Sequence, residues 1–224
     1  MDFAYTPEQL ELKGRAAAYA ELLMDYEDEA ERAGGPLPVE TVRKLTQAAM
    51  DAGVYGINMP KEWGGAGLTL LEQVIVEEEL GKVTNCLWDI PWRPSNVLAK
   101  ASPEQRERYL LPILRGERFD AFATTEPESG SDAGAIRTSA TPVEGGWLLN
   151  GEKWFVTCGD VADFLLVQAN VLPDQLSTLF FVEKDSPGVR ISRTPHFMHS
   201  AVNGHPEFVF EDVFVPTDAV LGEV

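Results

Sequence analysis

A chain of 224 residues, 44% of them hydrophobic, can bury one substantial core or two modest ones, and no stretch is compositionally disordered. Its 36 acidic against 18 basic residues give a formal net charge of −18, which argues against a nucleic-acid partner held through phosphates and against an anionic membrane surface. The same acidity serves solubility through self-repulsion. Thr6-Pro-Glu-Gln9 reads as a cap, a proline at the first helical position and a capping-box Gln, opening a helix that runs to about Ala33 before Gly34-Gly35-Pro36. A second helix is expected from about Val39 to Ala52, with Leu45, Ala48, Ala49 and Ala52 on one face. After a Gly-rich loop at 64–67, Leu70, Leu71, Val74, Ile75, Glu78 and Glu79 recur at helical spacing, a face expected to be mostly core. Ser102-Pro-Glu-Gln105 repeats the start signal for a helix carrying Tyr109, Leu110, Ile113 and Leu114, bent by Pro112 and ended by Gly116.

From Phe119 the period changes to short alternating or β-branched runs: 121–125, 147–157, 164–169, 178–182 and 207–215 are the clearer strands. The expected fold is α+β: an all-α helical domain over 1–118, then a small β-barrel or sandwich over 119–224. Cys86 and Cys158 show no metal or redox spacing and read as buried thiols. His196, His199 and His205 lie close together, but no Cys joins them and the neighbouring prolines and glycine suggest a loop, so no metal is expected. No apolar run approaches a membrane span and the acidic amino terminus lacks an export pattern, so a cytoplasmic location is expected.

Chemistry concentrates in two runs. Phe122-Ala-Thr-Thr-Glu-Pro-Glu-Ser-Gly-Ser-Asp132 reads as a strand ending in Thr124 and Thr125, then a Pro127/Gly130 turn exposing N–H groups and hydroxyls suited to an anionic ligand. In Leu149-Asn-Gly-Glu-Lys-Trp-Phe-Val-Thr157, Phe155 and Thr157 occupy alternate strand positions and are expected to face the same way, with Trp154 opposite. An aromatic wall beside a hydroxyl suits a flat heterocycle. Taken singly, these threonines are equally ordinary strand residues, the two Phe ordinary core, and Gly130-Ser131 an ordinary turn. Arg137, Lys153, Lys184, Arg190 and Arg193 supply basic residues near these runs, although most also suit a solvated surface.

Both runs resemble the acyl-CoA dehydrogenase family, whose signatures read Thr-Glu-Pro, two variable residues, Gly-Ser-Asp, and Asn-Gly, one residue, Lys, one residue, aromatic, Ile or Val, Thr or Ser. Flanking resemblance includes Pro60-Lys-Glu-Trp-Gly-Gly-Ala-Gly67 with Glu77-Glu-Glu-Leu80, Val161-Ala-Asp163, Phe208-Val-Phe-Glu-Asp-Val-Phe-Val-Pro216 and Val220-Leu-Gly222. The resemblance implies FAD as cofactor. It implies contacts to the flavin pyrimidine edge from Thr125 and the Thr124 backbone, with Phe122 packed beside the cofactor. Gly130 and Ser131 fall at its pyrophosphate region, and Ser131 is shared with the acyl-CoA substrate. Phe155, where the family often has Trp, lies against the ring, and Thr157 lies near N5. Trp88, Ile90 and Trp92 match the part that approaches the acyl chain, and equally suit a packed corner.

The implied reaction is α,β-dehydrogenation of an acyl-CoA thioester: a carboxylate base takes the α-proton while the β-hydrogen passes as hydride to N5. In the family that base is a Glu in a carboxy-terminal helical bundle, and no residue here matches it, so no catalytic residue is assigned and this chain is expected to be a fragment inactive alone. The complete enzyme is expected to be a homo-oligomer that passes electrons to an electron-transfer flavoprotein. An acyl-CoA oxidase, a flavin monooxygenase of the same architecture, and a non-catalytic cofactor-binding or assembly module completed by another chain remain open.

Overall fold

Thr6 accepts the Gln9 N–H at 3.2 Å while the Gln9 side chain accepts the Thr6 N–H at 3.0 Å, so the expected capping box opens helix α1 (Pro7–Met24). The helix stops short of Ala33. A turn at Asp25–Tyr26 separates α1 from α2 (Glu27–Ala33), which Gly34 ends in the left-handed conformation. Asp25 is a poor interior residue, and the acidic run Glu27, Asp28, Glu29 is better placed at the positive end of a new helix than in the last turn of an old one. The structure is a computed structural model that describes residues 4–198 and 201–223. They fall into two compact units, Met1–Asn96 with Tyr109–Glu117 and Phe197–Val202, and Val97–Arg108 with Arg118–His196 and Asn203–Val224.

In the first unit α3 (Val39–Ala52) buries Leu45, Thr46 and Ala49, and the Tyr19 hydroxyl of α1 donates to the Leu45 carbonyl at 3.1 Å. Helix α4 (Leu70–Leu80) begins at a second capping box, Thr69 with Glu72, and its inward face is rotated from the one expected, sharing Ile75 and Glu79 with it. Ile75, Val76, Glu79 and Leu80 are buried, while Leu70, Leu71 and Val74 are exposed. The cause is electrostatic as well as apolar: Lys13 of α1 reaches Glu79 at 3.2 Å and Glu78 at 2.9 Å, and Lys82 also pairs with Glu79. The glycine loop before α4 is required by space, since a Cβ on Gly65 would sit 2.2 Å from the Met59 carbonyl oxygen. Of the aromatic corner, Ile90 and Trp92 are buried and Trp88 is 40% exposed.

The expected helix after Ser102 is three consecutive turns, α5 (Pro103–Gln105), a π turn (Arg106–Leu110) and α6 (Leu111–Leu114). Pro112 lacks an N–H and its ring crowds the carbonyl one turn back, which the wider π turn accommodates.

Among the described residues the second unit carries eight strands: β1 (Asp120–Ala123), β2 (Ser139–Val143), β3 (Gly146–Lys153), β4 (Phe164–Val171), β5 (Leu176–Glu183), β6 (Val189–Arg193), β7 (Glu207–Pro216) and β8 (Val220–Leu221). They form one sheet in the order β6-β7-β3-β2-β4-β5-β8, and β1 pairs parallel with β4. The helical part followed by a β part agrees with the expected fold class. Nearly every residue of β4 is buried, and its apolar run packs with Phe180 and Phe181 of β5 into the core, with Phe208 and Phe210 of β7 also buried. Gly151, at φ +151°, marks the point where the β3–β7 register shifts. No described helix is long and apolar enough to cross a membrane.

Candidate functional site

The two chemically loaded runs meet through their main chains and one buried ion pair. The Trp154 N–H donates to the Thr125 carbonyl at 2.8 Å, and the Lys153 ammonium donates to the Thr124 carbonyl at 3.0 Å and to Glu126 Oε1 at 2.7 Å. Lys153 is fully buried, not solvated, and Glu126 is 6% exposed. The other basic residues named above are also engaged: Arg137 with Glu128, Arg190 with Glu211, Arg193 with Glu207, and Lys184 with the Asp160 carbonyl.

Glu126 is more than a counterion. Its Oε1 also accepts the Thr138 hydroxyl at 2.6 Å and the Thr138 N–H at 3.0 Å, and its Oε2 accepts the Arg137 N–H at 2.6 Å. Burial alone pushes its carboxyl up; the Lys153 ammonium, the Thr138 hydroxyl and the two main-chain N–H groups outweigh that and hold it below the ordinary value. Burial likewise lowers Lys153, with Glu126 opposing. Opposite charges at one position of each run were the available sequence signal for this pair.

The pair fixes how the strand end presents itself. Because the peptide is trans, the Thr124 carbonyl pointing at Lys153 directs the Thr125 N–H the opposite way. The Thr124 hydroxyl donates to the Gln168 side chain, which in turn donates to Ser177 at 2.8 Å. On β1, Asp120, Ala121 and Ala123 are buried and Phe122 is 39% exposed, so a large aromatic stands out from a strand otherwise turned inward. The turn that follows is closed by reciprocal main-chain bonds between Glu126 and Ser129, with Pro127 and Glu128 at its corner. Gly130 and Ser131 lie beyond that corner and are exposed. A Cβ at Gly130 would meet nothing within 4 Å, so packing within the chain does not demand glycine there.

Strand β3 ends at Lys153, so Phe155 and Thr157 are not alternate strand residues as the sequence pattern suggests. Phe155 sits at φ +55° and Cys158 at φ +60°, both in the left-handed region that bulky residues seldom occupy. This reversal breaks the alternation. Phe155 is 48% exposed and its ring meets Trp154 edge to face at 5.9 Å, so Trp154 is beside it, not on the opposite face. Val156 is buried and Thr157 is exposed. Strain at an exposed aromatic next to an exposed hydroxyl is a site signature that sequence periodicity does not carry.

His205 Nδ1 lies 3.1 Å from the Thr157 hydroxyl, His196 is exposed, and His199 lies outside the described residues. Among the described residues no three His, Cys, Asp or Glu side chains are grouped as metal ligands. Cys86 and Cys158 are both buried, and neither is in a disulfide. Together these elements offer exposed aromatic rings, an outward main-chain N–H and exposed hydroxyls on a rigid, buried support, an arrangement suited to a planar, hydrogen-bonding ligand.

Comparison with known proteins identifies the family. Residues 6–117 match the family model "Acyl-CoA dehydrogenase, N-terminal domain" and residues 121–213 match "Acyl-CoA dehydrogenase, middle domain". The chain is 32% identical to the short-chain specific acyl-CoA dehydrogenase of Clostridium acetobutylicum, over 100% of this chain and 60% of the relative. It superposes at a TM-score of 0.86 and 33% identity on a chain of the structure described as the electron transferring flavoprotein of Acidaminococcus fermentans, covering 100% of this chain and 60% of that one. An acyl-CoA dehydrogenase complexed with FAD from Bacillus anthracis superposes at 0.84 and 27% identity, over 98% of this chain and 39% of that one. The chain thus spans about 60% of the length of the first relative.

Proposed function

Since the chain belongs to the acyl-CoA dehydrogenase family, we propose that its second half binds FAD and takes part in α,β-dehydrogenation of an acyl-CoA thioester. The observation that carries the cofactor reading is Phe155: an aromatic ring held outward by a strained backbone, beside an exposed Thr157, on a segment bonded to the Thr124–Thr125 strand end. FAD, when bound, supplies a hydride acceptor at N5.

The chain's own residues bind and orient. Thr125 and the Thr124 backbone face the pyrimidine edge, where the Lys153-fixed carbonyl leaves the Thr125 N–H free to donate. Phe122 and Phe155 give the ring its apolar surfaces, and Thr157 places a hydroxyl near N5. Gly130 leaves room for close approach of the pyrophosphate, and Ser131 offers its hydroxyl to both pyrophosphate and acyl-CoA. No residue of this chain is assigned the α-proton. In this reading residues 1–118 form a helical domain and 119–224 the β domain with the cofactor and acyl-CoA contacts. The complete enzyme is a cytoplasmic homo-oligomer using an electron-transfer flavoprotein as acceptor.

The direct test is the visible absorption spectrum of the chain titrated with FAD. A shifted, resolved flavin band that saturates is the expected result. A spectrum equal to the sum of free FAD and protein overturns the cofactor assignment for this chain.

A further inference from the structure

We propose that His205 is a positioning residue for the Thr157 hydroxyl, orienting it to donate to N5 of oxidised FAD and to accept from N5–H of reduced FAD. The proposal rests on the FAD reading above and adds to it a residue outside both signature runs.

The contact is built by the backbone. The Val156 N–H donates to the Pro206 carbonyl at 3.0 Å and the Cys158 N–H to the Gly204 carbonyl at 2.9 Å, an antiparallel register that sets Thr157 directly opposite His205. These two bonds flank Thr157 and His205 and hold the two side chains close together. Both segments are pinned further. The Gly204 N–H donates to Asp160 Oδ2 at 2.7 Å, and a Cβ on Gly159 would lie 2.7 Å from the Phe208 ring and 3.0 Å from Pro206. The imidazole Nδ1 then falls 3.1 Å from Thr157 Oγ1 with little freedom to drift.

A threonine hydroxyl has one hydrogen and two lone pairs, and a neutral imidazole carries its proton on one nitrogen or the other. With the proton on Nδ1, His205 donates to Thr157, and the hydroxyl hydrogen is free to point at an acceptor such as oxidised N5. With the proton on Nε2, Nδ1 accepts the hydroxyl hydrogen, and an oxygen lone pair faces outward to receive a hydrogen bond from reduced N5–H. Both arrangements keep the same heavy-atom geometry. A hydroxyl without such a partner can make the same rotation, but in each redox state it then makes one of the two hydrogen bonds instead of both.

The test compares the full chain and its His205→Phe and His205→Asn variants, each bound to 15N-labelled FAD, oxidised and then reduced with dithionite. His205→Phe keeps a flat ring of similar size and removes both nitrogens; His205→Asn restores a donor and an acceptor. The N5 resonance is expected to move in both redox states of His205→Phe. The ratio of the dissociation constants for oxidised and reduced FAD should change about three- to tenfold, the scale of one hydrogen bond. His205→Asn should return both readouts toward the wild type. In the wild type, the His205 ring 15N resonances should report a proton on Nδ1 with oxidised FAD and on Nε2 with reduced FAD, a readout that does not depend on a variant folding. An unchanged tautomer across the two states, or equal N5 resonances and affinity ratios in all three proteins, overturns the proposal while leaving FAD binding intact. Failure of the wild type to bind FAD overturns the cofactor reading and this proposal with it.

Discussion

Lys153→Met is expected to lower the unfolding free energy by about 3–5 kcal/mol, the usual cost of removing one partner of a buried ion pair. The Lys153 and Glu126 side chains are 0% and 5% exposed, so water does not reach the carboxylate left behind. Methionine fills much of the lysine volume, which separates the lost charge from a cavity. Urea unfolding of the variant and of Lys153→Met/Glu126→Gln measures it, and the double variant should recover part of the loss because no uncompensated charge remains. The sign of the pH dependence follows from Glu126. Its folded-state pKa is held below the ordinary 4.5, so the stabilisation is complete above that value and is lost as pH falls through the folded-state value. Glu126→Gln should lack that acid limb, with reduced stability already present at neutral pH.

The second large effect is on the cofactor. Thr125→Ala with Phe155→Ala is expected to weaken FAD binding about 100-fold, combining loss of the hydrogen bond of the Thr125 hydroxyl, the main-chain N–H being retained, with the loss of an aromatic surface. Phe155 is 48% exposed, so removing its ring sacrifices little core packing, and the unfolding midpoint should stay close to that of the wild type. Equal loss of stability and affinity would mark both residues as structural.

What the sequence reveals here depends on how local the cause is. The boxes at Thr6 and Ser102 were legible because a cap, a proline and a Gln three residues on are sufficient in themselves, and both boxes form. The inward face of α4 was legible only at Ile75 and Glu79. Leu70, Leu71 and Val74 look like core, yet the buried side carries Glu79, whose partner Lys13 belongs to a different helix. Strands β2, β6 and β8 escaped notice: β2 contains Pro142 and is exposed from Thr141 on, β6 is largely exposed and lacks alternation, and β8 has two residues. At the site, residue types in both runs were readable but their presentation was not. Phe155 adopts a positive φ that neither Gly nor Asn announces, and Lys153 looks like a surface base until Glu126, 27 residues earlier, is placed against it. His205 opposes Thr157 only because two main-chain bonds set that register.

In the proposed complex the Thr124–Ser131 turn and the Phe155–Thr157 segment together hold FAD. Amide hydrogen exchange of the full chain, with and without saturating FAD, reads this out residue by residue. Protection is expected at 122–131 and 154–158, with α1 and α3 unchanged. Protection that falls elsewhere while those two segments exchange as before would contradict it.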